Sequence, residues 1–113
     1  MVIPSVGTVV LVRFPFSDLS RSKLRPAVVL ADTGRNDWIL CQVTSQPYTD
    51  PKAVEITTAD LTSGLLRKTS YARSGKLFTA NAGIMTKQIG ELKSEKLEET
   101  IRAVISLLEK SIV

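Results

Sequence analysis

The groups in this sequence best suited to act on another molecule are its arginines and lysines, and they are gathered in two stretches. Residues 13–25 hold Arg13, Arg21, Lys23 and Arg25 against one carboxylate, Asp18, and residues 67–76 hold Arg67, Lys68, Arg73 and Lys76 against none. The whole chain carries only +4, so the remainder is net acidic and the positive charge is local. Brought together by the fold, the two stretches would form a patch for a polyanion. Kept apart, they are solvated surface. The absences narrow the chemistry further. There is no histidine, which removes Ser-His-Asp and Cys-His catalysis and any two-histidine acid–base pair. One cysteine without histidine cannot build the common zinc sites and cannot close an internal disulfide. Cys41 lies in an apolar run and reads as a buried thiol in a reducing compartment. No glycine-rich phosphate loop is present.

These side chains need a scaffold, and the pattern is mostly β. The 113 residues, 43% apolar, suit one domain with one core, and a chain this short makes dimerisation a reasonable expectation. Thr8–Phe14 reads as a strand that Pro15 ends or places at an edge. Phe16–Leu24 has loop composition. Pro26 biases Arg25 towards an extended conformation, and Ala27–Ala31 reads as a buried strand. Asp32–Asp37 reads as a turn. In Trp38–Ser45, alternation puts Trp38, Leu40, Gln42 and Thr44 on one face and Ile39, Cys41, Val43 and Ser45 on the other.

Farther along, Gln46–Lys52 reads as a loop. Ala53–Thr57 turns Val54 and Ile56 inward and Glu55 outward. Asp60–Thr69 reads as irregular and broken by Gly64. Two strand pieces, Ser70–Arg73 and Lys76–Thr79, flank Gly75, and Ala82–Lys87 reads as a strand or a turn. A helix from Ser94, as N-cap, to Lys110 carries Leu97, Ile101, Val104, Ile105 and Leu108 on one stripe. The expected fold is mainly β with one C-terminal α-helix, a small barrel or a strongly bent antiparallel sheet. Neither a signal peptide nor a membrane span is legible.

Beyond this point the reading rests on a resemblance. Phe14-Pro15-Phe16-Ser17-Asp18-Leu19, followed by Lys23-Leu24-Arg25-Pro26-Ala27-Val28-Val29-Leu30, resembles the first hairpin of the MazF/PemK toxins. Cys41-Gln42-Val43-Thr44-Ser45, Gly64-Leu65, Ser70, Arg73, Lys76-Leu77-Phe78-Thr79, Ile89-Gly90-Glu91-Leu92 and the final helix continue it in order. The sequence departs from the family at Gly7-Thr8, where an acid often follows the glycine, and at Ala80-Asn81, where Leu-Asp is usual.

The resemblance implies an SH3-like barrel over residues 1–113, usually a homodimer in the cytoplasm. It implies an endoribonuclease that cuts single-stranded RNA without metal or cofactor, leaving a 2′,3′-cyclic phosphate and a 5′-hydroxyl. It also implies a cognate antitoxin that covers the RNA site, and no membrane partner. Arg25 and Thr44 match the catalytic arginine and threonine. The expected RNA contacts are Arg21, Lys23, Ser45, Gln46, Arg73 and Lys76. On the residues alone, Arg25 reads first as an exposed loop charge, Thr44 as an ordinary strand threonine, and Arg73 and Lys76 as solvated edge charges. Two other functions fit the pattern less fully. One is a non-catalytic barrel toxin acting on a protein such as gyrase; the other is a plain nucleic-acid-binding barrel.

Overall fold

In a computed structural model of the chain, which describes residues 2–15, 22–46 and 50–112, seven strands form one curled antiparallel sheet. They are β1 (Thr8–Pro15), β2 (Ser22–Gly34), β3 (Asp37–Thr44), β4 (Val54–Ile56), β5 (Leu61–Gly64), β6 (Ser70–Asn81) and β7 (Met85–Leu92), and the helix α1 (Ser94–Glu109) follows. The spatial order is β4-β6-β3-β2-β1-β7-β5. A short 3-10 turn, Thr58–Asp60, joins β4 to β5.

The central strands are buried on both faces, which is why Ala27–Leu30 reads as an unbroken apolar run. Alternate residues feed two cores. Val9, Val28, Cys41, Val43 and Ile56 lie on one face, with Leu97, Ile101 and Val104 of α1 packed over them. Val10, Val12, Val29 and Leu40 lie on the other, with Trp38 and Phe78 alongside. The two faces expected for the third strand therefore stand as read.

Cys41 is fully buried. Burial pushes its thiol from an ordinary 9.0 up to about 12, against a smaller opposing hydrogen bond with the Val28 backbone. The unfolded chain loses this proton near 9 while the folded chain keeps it. Stability should therefore be unaffected by Cys41 below that pH and fall as pH rises through the interval. Urea melts across that range check this, and Cys41→Val should flatten the fall.

Several boundaries differ from the sequence reading. Ser22–Leu24 are strand, not loop, because they pair with Arg13–Pro15. The Asp32–Asp37 turn shrinks to Arg35 and Asn36, whose φ values of 56° and 64° make a tight left-handed hairpin link. Asp32 Oδ1 accepts the Gly34 N–H at 2.8 Å just before it. The region read as irregular contains β5. Gly64 does not break it: at φ +91°, its missing Cβ lets the strand lie against the Ile89 carbonyl of β7.

The two pieces around Gly75 are one strand, β6, interrupted by a bulge. Cys41 faces Leu77 and Val43 faces Ala72, so two steps along β3 meet five along β6. The helix N-cap is Lys93 rather than Ser94, without a side-chain cap. The apolar stripe is covered only in its first half, and Ile105 and Leu108 are 44% and 59% exposed.

Candidate functional site

Pairing register sets the geometry. In the β2–β3 ladder Val28 faces Cys41 and Ala27 faces Gln42, where the paired stretch ends. Continuing the same register by two residues on each strand sets Arg25 opposite Thr44. Both share the face of Ala27, Val29 and Leu40, beyond the rim of that core. Pro26 keeps the strand extended while β1 supports it, through Val12 opposite Arg25. Arg25 and Thr44 are each half-buried.

Thr44 is oriented by its own backbone. Its Oγ1 accepts the Gln46 N–H at 3.1 Å, which fixes the oxygen and leaves the hydroxyl hydrogen to donate elsewhere. On the far side Thr44 faces Tyr71 of β6, and Tyr71 in turn faces Glu55 of β4. A lateral row Arg25, Thr44, Tyr71, Glu55 thus crosses β2, β3, β6 and β4.

The expected binding residues divide. Lys23, exposed, lies two residues from Arg25 on the same strand and face. Gln46 contributes its backbone to Thr44. Ser45 is exposed, just past the end of β3 beside Thr44. Arg73 and Lys76 both lie in the β6 bulge, which takes them out of the ladder beside Thr44 and Tyr71. Arg73 is held there, its Nε donating to Asp50 Oδ2 at 3.3 Å with both side chains mostly covered. Part of its charge is thereby spent on pinning the β3–β4 connection. Arg21 falls outside the described residues.

Parts of the two basic stretches stand at the same end of the sheet. Arg67 lies in a groove of about 480 Å³ with Leu11, Leu66, Lys87 and Ile89. The cations near the row are Lys23, Arg25, Arg73 and Lys76. A further pair stands where the β3–β4 connection meets the end of α1. There a hydrogen bond with Lys52, and then its like charge, hold the Lys110 amine below its ordinary value.

Among the described residues no three His, Cys, Asp or Glu side chains cluster in a way that could hold a metal ion. No helix among them is long and apolar enough to cross a membrane.

A model of the PemK-like, MazF-like toxins of type II toxin–antitoxin systems matches residues 5–108. The chain belongs to that family. Solved structures agree on the fold of this toxin. A MazE–MazF complex from Deinococcus radiodurans superposes with a TM-score of 0.76 at 21% identity, over 96% of this chain and 98% of that one. The Mycobacterium tuberculosis toxin MazF-mt6 gives 0.70 at 15% identity, over 90% and 96%. A mycobacterial endoribonuclease in complex with its cognate antitoxin gives 0.72 at 16% identity, over 96% of each chain. No curated protein sequence matches this one.

Tyr71 and Glu55 are the members of the row that sequence reasoning missed. Alternation within β4 placed Glu55 off the core, but nothing in the sequence paired β4 with β6.

Proposed function

We propose that this toxin is a metal-independent, sequence-selective endoribonuclease that cuts single-stranded messenger RNA and so arrests growth. What supports the reading is the β2–β3 register, which extended two residues past Ala27 and Gln42 brings Arg25 opposite Thr44, in a chain of this family. Residues 1–113 act as one toxin domain in this reading. In this reading it is a cytoplasmic homodimer held in check by a cognate antitoxin; the mycobacterial endoribonuclease of similar fold is itself found in complex with its cognate antitoxin.

The 2′-hydroxyl attacks its own phosphorus, the bond to the 5′-oxygen breaks, and a 2′,3′-cyclic phosphate and a 5′-hydroxyl result. Charge builds on the phosphoryl oxygens in the crowded transition state. Donors fixed in advance around those oxygens lower the barrier. The Arg25 guanidinium offers several in one plane, and the Thr44 hydroxyl adds one beside it. A guanidinium keeps its proton far above neutral pH and is a poor base there. Arg25 therefore acts through charge, while the attacking hydroxyl's proton leaves to solvent and solvent protonates the departing 5′-oxygen. Lys23 and Lys76 hold flanking phosphates, and Ser45, Gln46 and Arg73 line the same strand of RNA.

The direct test is incubation of purified toxin with a long single-stranded RNA in EDTA, followed by mapping of the ends. Discrete cuts ending in cyclic phosphate are expected. Activity that disappears in EDTA and returns with Mg²⁺ would overturn the reading. Thr44→Val keeps the shape and removes the donor, and a hydrogen bond to a charged group is worth enough to make the expected slowing about tenfold or more. Single-turnover rates on the same RNA check it, with a urea melt to show that the variant is folded.

A further inference from the structure

We infer that Glu55 reads a guanine base in the nucleotide next to the cleaved phosphate; this rests on the nuclease reading of Arg25 and Thr44. Tyr71 is paired on both sides, with Thr44 of β3 and with Glu55 of β4. Directly paired residues share a face of the sheet, so the carboxylate lies on the same face as the hydroxyl. Two strand spacings separate their backbones, about 10 Å, which is the reach of a neighbouring nucleotide rather than of the same phosphate.

Glu55 is exposed, between the inward-facing Val54 and Ile56, and it forms no ion pair among the described residues. Its position is unusual electrostatically. Lys23, Arg25, Arg73 and Lys76 make this end of the sheet cationic, as a phosphate path requires, and a carboxylate in that path repels phosphate. A carboxylate does suit a base. It has two acceptor oxygens and no donor. Guanine is the base whose Watson–Crick edge offers two adjacent donors, N1–H and the N2 amino group. Adenine and cytosine each set a ring-nitrogen acceptor beside one amino donor, and uracil sets its single N–H between two carbonyls. Single-stranded RNA exposes these edges, and proteins read them there. The competing role is that of a charge that keeps the edge strand β4 from pairing with another molecule.

The test compares wild type with Glu55→Gln, each shown to be folded by a thermal melt. RNA randomised around the cut is digested and the ends are sequenced. Guanine should be enriched by wild type at one fixed position within two nucleotides of the cut, and Glu55→Gln should lose that enrichment. Inosine at that position lacks the 2-amino group. It should slow wild type about tenfold to a hundredfold, the range of one bidentate base contact, and should leave the rate of Glu55→Gln the same as with guanine. In parallel, binding is measured to a 2′-O-methyl oligouridine, which cannot be cleaved, carrying one guanosine or one inosine. Wild type should prefer guanosine and Glu55→Gln should not. If that preference is found but no RNA is ever cut, base reading stands and the nuclease reading fails. If both proteins cut with the same flanking pattern, or if neither tells guanosine from inosine in cutting or binding, the proposal is overturned and Glu55 only guards the edge.

Discussion

Arg25→Ala should lower single-turnover RNA cleavage by about 10²–10³, the usual cost of removing one preorganised donor from a developing oxyanion. The loss should fall on the chemical step. Lys23 and Lys76 still attract the backbone, so affinity for a non-cleavable RNA should change far less than the rate. Arg25→Lys restores the charge but not the planar fork and should recover only part of the activity. Arg25 lies beyond the rim of the core rather than inside it, so the fold should persist. A wild-type single-turnover rate in Arg25→Ala would remove this residue from the mechanism.

The largest expected change in stability is at Leu40. It is fully buried at the middle of β3, paired with Val29 on one side and Phe78 on the other. Leu40→Ala removes side-chain volume from a site walled by a sheet that cannot collapse to fill it. Substitutions of this kind cost about 2–5 kcal/mol, which in a chain this size lowers Tm by roughly 10 °C or more. A urea titration measures it, and a loss below about 1 kcal/mol would mean that the core on this face is loosely packed. Leu40 shares its strand and face with Thr44, but at a distance from it. The rate per folded molecule should therefore drop less than in Arg25→Ala.

The comparison of these two residues shows what the sequence made legible. Leu40 could be assigned to a core from strand alternation alone, because a period of two is local. Its neighbours Cys41 and Val43 fell on the other face by the same rule, and the structure agrees. Arg25 could not be assigned from its neighbours. Before Pro26, an arginine in a polar stretch has the composition of a loop, and only resemblance singled it out. What was hidden was pairing between distant segments. Ser22–Leu24 look like loop because their support comes from β1. β5 was missed because Gly64 reads as a breaker until Ile89 is known to lie against it. The row from Thr44 to Glu55 depends on β6 standing between two strands, a fact of topology with no trace in local pattern. The charge pattern was legible only in part for the same reason. Arg67 and Arg73 are six residues apart in sequence, yet Arg67 lines a groove with Leu11 of β1 and Lys87 of β7 while Arg73 lies in the β6 bulge.

The short 3-10 turn between β4 and β5 acts on the whole sheet as a drawstring. These two strands are its opposite borders. Seven strands laid flat would set the borders about 29 Å apart. The chain from Ile56 to Leu61 has five links and reaches at most about 17 Å when fully extended. A flat sheet is thus incompatible with this connection, and curling is imposed by chain length as well as by strand twist. The wall that carries Arg25, Thr44, Tyr71 and Glu55, on the side of the sheet away from Val54 and Ile56, owes part of its curvature to this tether.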